Sequence, residues 1–311
     1  MTIYTASASL AALAAACLPT SNIMAATTRT VCAAGCQFTT IQSAIDAAEK
    51  DDTILIEKGR YVENLNTEGK RITLQGADRR TAIIDGNGLG PVITIPGPAP
   101  VSISDVTITR GYGAGGGILV TDLAGHEANS GGLNLRHSII IANHSTTDGG
   151  GISVNAVFIL PTVTISDCTI ANNSAAGRGG GFAMLADGPV TISKSTFADN
   201  QATEGGGIYV DDDFYLVHVT ETTLVANTAA TDGGGMWFDG FGGHLEVDDN
   251  VVAANNSAGH GAGGIFAIND PDEKPPTVVN NHALIYNNPP DQFCLGNCAA
   301  PPAEAPPSGG K

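Results

Sequence analysis

Forty glycines in 311 residues, 14% charged and 5% aromatic side chains, and a formal net charge of −17 describe an acidic, turn-rich chain. Val, Ile and Leu are plentiful and fall in short runs, which excludes intrinsic disorder. The acidic balance excludes nucleic acid and anionic membranes as partners, because nothing offsets phosphate repulsion.

At the N-terminus, residues 1–28 carry no side-chain charge. Ser9 to Leu18 is small and apolar, and Ala25 and Ala26 offer small residues for cleavage. This predicts a signal peptide over residues 1–25, and with it a secreted or cell-envelope protein. The apolar run is too short to span a membrane, and no Lys or Arg precedes it. Cys17 follows three alanines, but Ala14 stands where a lipoprotein signal usually carries leucine, so lipidation is disfavoured.

Residues 26–52 read as an N-terminal cap. Cys32 and Cys36 are close together, as are Cys294 and Cys298 beyond the repeats, so each pair is a candidate for a small disulfide loop. A shared four-thiolate zinc site is the rival, disfavoured because the pairs flank the repeat array. Thr40 to Ala48 predicts a short amphipathic helix with Ile41, Ala44, Ile45 and Ala48 on one face, placed to hide an open strand edge.

Strands follow at Thr53 to Ile56, Ile72 to Gln75, Ala82 to Asp85, Val92 to Ile95 and Val101 to Thr109. From there a repeat of roughly 28 residues sets in. Its first anchor is a glycine run followed by an apolar residue: Ile118, Ile152, Phe182, Ile208, Met236 and Ile265, spaced by 34, 30, 26, 28 and 29. Its second is an asparagine: Asn143, Asn173, Asn200, Asn227, Asn255 and Asn288. Ahead of each of the middle asparagines, apolar or small residues recur three, five, eight and ten positions upstream, as in Ile170, Cys168, Ile165 and Val163 before Asn173. Two period-2 pairs separated by one extra residue mean two strands joined by a bend, and the glycine-led strand is a third. Three short strands per unit, returning to one register, describe an all-β, single-stranded parallel β-helix over residues 53–298. Equivalent residues then stack in columns, and an asparagine column can hydrogen-bond along itself because each amide both donates and accepts. Residues 299–311 form a Pro/Ala/Gly-rich tail expected to be disordered.

The stretch Phe38-Thr39-Thr40-Ile41-Gln42-Ser43-Ala44-Ile45, followed by Gly59-Arg60-Tyr61-Val62-Glu63-Asn64, resembles the opening of pectin-lyase-type families, pectinesterases among them. Gly205-Gly206-Gly207-Ile208 and Phe197-Ala198-Asp199-Asn200 are similar to the repeats of polymorphic outer-membrane proteins. The resemblance covers residues 38 to 288 and implies a right-handed parallel β-helix with a short N-terminal capping helix. It does not imply one function, since that fold hosts lyases, hydrolases, esterases, adhesins and coats.

No complete catalytic motif of those families is present. Esterase aspartates have no counterpart, so Glu63 reads as structural. Gly259-His260-Gly261 matches a glycan-hydrolase element, but His260 shares its slot with Asp148, Arg178, Glu204 and Asp232, which marks a turn position. Cys168 shares an inward column with Ser138, Ser195 and Thr222, so it reads as a small buried residue and not a nucleophile. One constellation stands out. Tyr209, Trp237 and Phe266 point outward on successive coils, and Asp211, Asp212, Asp213 and Asp239 follow them. Such rings and carboxylates suit sugar binding, against the alternative of an aromatic stack padding the scaffold beneath a loop. The sequence reading is therefore a non-catalytic adhesin or glycan-binding surface element whose partner is an extracellular polysaccharide or cell-surface glycan. The alternative is a polysaccharide lyase or glycoside hydrolase using the same acidic aromatic face. Calcium in the acidic loops is compatible with either reading, and no other cofactor is implied.

Overall fold

The computed structural model describes residues 25–97, 99–122, 131–156, 160–211, 215–239, 244–258, 263–268, 277–281 and 284–288, the backbone alone at 253, 268, 277–281 and 284–288. The expected signal peptide, Cys294, Cys298, Asp212, Asp213, His260 and the tail lie outside the described residues.

The chain is a right-handed parallel β-solenoid whose third sheet stacks eight strands, one per turn. The first sheet stacks ten strands, from Thr28–Val31 through Gly132–Arg136 and Val190–Ser193 to Thr277–Asn281. The second holds two strands of most turns, such as Ile139–Ile141 and His144–Ser145. The third carries the glycine-led strands, among them Ile152–Asn155, Phe182–Met184, Ile208–Asp211 and Met236–Asp239. Every pairing is parallel, and in the third sheet Ile118, Ile152, Phe182, Ile208, Met236 and Ile265 pair in register from turn to turn and form one column. All six are at most 2% exposed and belong to the single core that fills the lumen.

Val101 to Thr109 is two strands rather than one. Pro100–Ser104 and Thr107–Thr109 meet at Asp105, whose φ of 60° turns the chain out of the first sheet. The same left-handed bend recurs at His137, Asp167, Lys194, Glu221 and Asp249. Asn143, Asn173, Asn200 and Asn227 are each followed by a two-residue strand, such as Ser174–Ala175, too short to give a periodic signal. At the N-terminal end α1 (Ile41–Ala47) buries Ile41, Ala44 and Ile45, and Thr40 Oγ1 caps it by accepting from Ser43 N. Thr28–Val31 pairs with Thr53–Ile56, so the first sheet begins inside the segment read as a separate cap. Cys32 and Cys36 are joined in a disulfide.

The buried asparagines form a continuous ladder. Asn143, Asn173, Asn200 and Asn227 each donate from Nδ2 to Oδ1 of the next, ending on Asn255, at 2.9–3.1 Å. Each also donates to a backbone carbonyl of the preceding coil, as Asn200 does to Ile170 O at 2.9 Å. Asn288 falls out of this register. Its strand slips past a bulge, and Asn288 pairs with Asn256 instead of Asn255.

Candidate functional site

The turn that leads into each third-sheet strand shapes the acidic aromatic face. Gly205 and Gly233 have φ of +59° and +66°, conformations that L side chains rarely adopt. A Cβ on Gly233 would stand 2.6 Å from Met236 O and 2.8 Å from Trp237 Cβ, so only glycine lets the turn lie on the strand it precedes. The first outward side chain of that strand is consequently covered by the turn.

Tyr209 and Trp237 are such covered side chains. Tyr209 is 2% and Trp237 6% exposed, although neither belongs to the lumen core. Their rings stack face to face, with centroids 4.4 Å apart and planes within 9°. Phe266 is half-buried and continues the stack at 6.4 Å and a 33° tilt. On the other side Arg178 lies over the Tyr209 ring at 4.9 Å and donates from Nη1 to its hydroxyl at 3.1 Å. The ring faces are thus occupied by one another and by a guanidinium. Burial pushes the Tyr209 phenol up to about 12.

Arg178 is the residue sequence reasoning undervalued, reading it only as a turn position. Its backbone N–H and Nε donate to Asp148 Oδ1 at 2.7 and 3.2 Å, and Nη1 lies 3.9 Å from Asp211 Oδ2. The Arg178 backbone also forms an isolated parallel β-bridge with that of Glu204 on the next coil. The usable signal was the change of sign along one slot, Asp148, Arg178 and Glu204, which a parallel stack brings side by side. Burial pushes the Glu204 carboxyl above its ordinary range, Arg178 opposes this, and Asp232 and Asp148 add to it. Burial likewise raises Asp211, with Arg178 opposing and Asp187 adding. Asp239 is Asp211's register partner on the next rung, both half-buried at the strand end. Asp212 and Asp213 lie outside the described residues.

The remaining candidates have structural partners. Glu63 accepts from Ile41 N and Gln42 N, both at 2.9 Å, and so holds the start of α1. Tyr61 donates to Val31 O or Glu57 O, and Asn64 to Pro91 O at 2.9 Å, so the whole Gly59 to Asn64 stretch ties the first coils together. Cys168 is 3% exposed, burial pushes its thiol up to about 12, and it donates to Ser166 O. Among the described residues no group of three or more His, Cys, Asp or Glu side chains is arranged to hold a metal ion. No helix among them is long and apolar enough to cross a membrane.

A second surface was not singled out from the sequence. The two-residue strands of the second sheet place Tyr112, His144, Ser174, Gln201, Thr228 and Asn256 in one outward column, in register from rung to rung. Tyr112, His144, Gln201 and Asn256 are exposed, and the other two half-buried. Tyr112 stacks on His144 with centroids 5.3 Å apart, and His144 Nδ1 meets Ser174 Oγ at 2.8 Å. Beside this column run Thr146, Ala176, Thr203 and Ala230. Between the columns lies a shallow groove of about 320 Å³, lined by His144, Ser174, Ala176, Gln201, Thr203 and Ala230 among others. None of its lining residues is Asp, Glu, Lys or Arg.

Residues 93–288 match the family model described as the right-handed β-helix region. The chain belongs to that β-helix family. Among solved structures this β-helix chain is similar to pectin methylesterase from carrot, at 16% identity and a TM-score of 0.42, over 81% of this chain and 88% of the other. No curated protein matches the sequence.

Proposed function

We propose that this β-helix protein is a secreted or cell-envelope element that holds a glycan on its outer surface without cleaving it. The supporting observation is the uncharged groove beside His144, Ser174, Gln201 and Thr203, where imidazole, hydroxyl and amide groups stand at solvent on a rigid sheet. Sugar recognition needs such groups, able to donate and accept, fixed in place and flanked by apolar patches, here Ala176 and Ala230. The buried Tyr209–Trp237 stack supports the scaffold in this reading.

The competing reading is a polysaccharide-active enzyme. It is favoured by Glu204 and Asp211, two carboxyls held above their ordinary range around Arg178, the property a general acid needs. One experiment separates them. The purified protein is incubated with acidic and neutral polysaccharides, with and without calcium, and both retention and the release of reducing or unsaturated ends are read. Retention without products, lost in Gln201→Ala and kept in Glu204→Gln, is expected. Products abolished by Glu204→Gln or Asp211→Asn would replace the binding reading by the enzymatic one.

A further inference from the structure

The outward column has a length and a charge as well as a groove. It runs without interruption over six rungs, Tyr112, His144, Ser174, Gln201, Thr228 and Asn256. At about 4.8 Å per rung the five steps span about 24 Å along the solenoid axis. Across the axis the strip is only two columns wide, the second formed by Ala114, Thr146, Ala176, Thr203, Ala230 and Ala258. None of the twelve is Asp, Glu, Lys or Arg. Charge lies only at the borders. On one side Asp148, Arg178, Glu204 and Asp232 occupy the turn; on the other stand Arg110 and Asp199. Acids outnumber bases there, in a protein of net charge −17. A polyanion laid on the strip would meet the acids that border the His144, Gln201 and Thr228 rungs, whereas a neutral chain would be indifferent to them.

We propose that the strip binds a neutral, extended, β-linked polysaccharide running along the solenoid axis, about one sugar per rung. This rests on the glycan-holding reading above and narrows it. A two-fold extended chain advances per sugar by about the same distance as one rung, so each ring meets an equivalent position. Alternate rings of such a chain present alternate edges, and the column answers with varied donors and acceptors: phenol, imidazole, hydroxyl, amide, hydroxyl, amide. The exposed Tyr112 ring, stacked on His144, offers the end of the strip an aromatic surface for one sugar. The polymer direction follows from shape. A chain crossing the strip would leave it after two columns and, on one side, enter the turn that carries Asp148, Arg178, Glu204 and Asp232.

The test is titration calorimetry of the full chain with neutral cello-, manno- and N-acetylchito-oligosaccharides from dimer to octamer, alongside oligogalacturonates. For at least one neutral series, affinity is expected to rise with each added sugar and level off near the hexamer. It should change less than twofold between low and high salt. Gln201→Ala and His144→Ala should each weaken the hexamer by tenfold or more, and Gln201→Asp by at least as much, with unchanged circular dichroism and melting temperature. Binding of oligogalacturonate with steep salt dependence would overturn this inference and leave the glycan-holding reading standing. So would neutral binding that ignores chain length or the Gln201 substitutions. No binding of any oligosaccharide would overturn both.

Discussion

Asn200 shows how much one buried amide does here. Its Nδ2 donates to Asn227 Oδ1 and to Ile170 O, and its Oδ1 accepts both the backbone N–H and the side-chain Nδ2 of Asn173. Asn200→Ala would leave the buried Asn173 backbone N–H without its acceptor and remove one bond each from Ile170 O, Asn173 Nδ2 and Asn227 Oδ1. The expected loss is about 3 kcal/mol, because each orphaned buried polar group costs about 1–3 kcal/mol. A shift in the urea midpoint at constant m-value would show it, and an unchanged midpoint would deny the ladder its role. Two carboxyls make opposite pH predictions. Asp52 is 1% exposed; burial works to raise its carboxyl, yet hydrogen bonds from Glu49 N, Thr27 and Arg29 bring it down to about 2. Its folded value lies below the unfolded one, so its stabilisation is present above about pH 4 and is lost as pH falls toward 2. Asp52→Asn should therefore flatten the acid limb of the melting curve. Glu204 is raised, so its contribution is complete below its unfolded value and is lost as pH rises through the folded one. Glu204→Gln should accordingly gain most over wild type at neutral pH. The asparagine column was legible in the sequence because an amide repeated at the coil period has only one way to satisfy itself inside a stack. The partners of Asp52 were not, since Thr27 and Arg29 lie more than twenty residues away.

Between residue and molecule stands the turn–strand unit, and Trp237 tests it. The parity that places Ile208 and Met236 inward and Tyr209 and Trp237 outward is a property of any strand, so that half of the arrangement was readable. The burial was not. It depends on glycine turns at positive φ lying against the strand, and on an arginine 31 residues upstream of Tyr209 that reaches it across one rung. A sugar platform would tolerate Trp237→Ala in stability and lose it in binding. A covered stack predicts the reverse, a destabilisation of about 3–5 kcal/mol with glycan retention unchanged at temperatures where the variant is folded. Arg178→Ala should uncover one face of Tyr209 and remove the guanidinium from Asp148, which keeps the backbone N–H of residue 178. Tyr209 fluorescence and accessibility to chemical iodination, the latter rising in Arg178→Ala, would register this directly. Similar reasoning explains why the acidic strand ends invited a catalytic reading: sequence shows Asp211 and Asp239 but not the guanidinium that organises the first of them.

At the scale of the whole solenoid, each turn pairs only with its neighbours, so stability is close to a sum of turn energies and interface energies along one axis. The asparagine ladder adds a second interface beside the sheets, running from Asn143 to Asn255. The bulge that pairs Asn288 with Asn256 falls where that ladder ends. A cut in the ladder should therefore act locally. In Asn200→Ala, amide hydrogen exchange should accelerate first around residues 168–229, the turns that lose their shared bonds. Protection around Ile54, Leu74 and Ile103, in turns before the ladder, should fall last. Uniform acceleration would mean that the array unfolds as one cooperative unit and that the interface terms dominate over those within each turn. The distinction bears on function, because a six-rung binding strip requires consecutive turns to stay in register at once. If exchange is local, bound hexasaccharide should slow it across residues 144–228 of wild type, while Asn200→Ala should show that protection interrupted near the break.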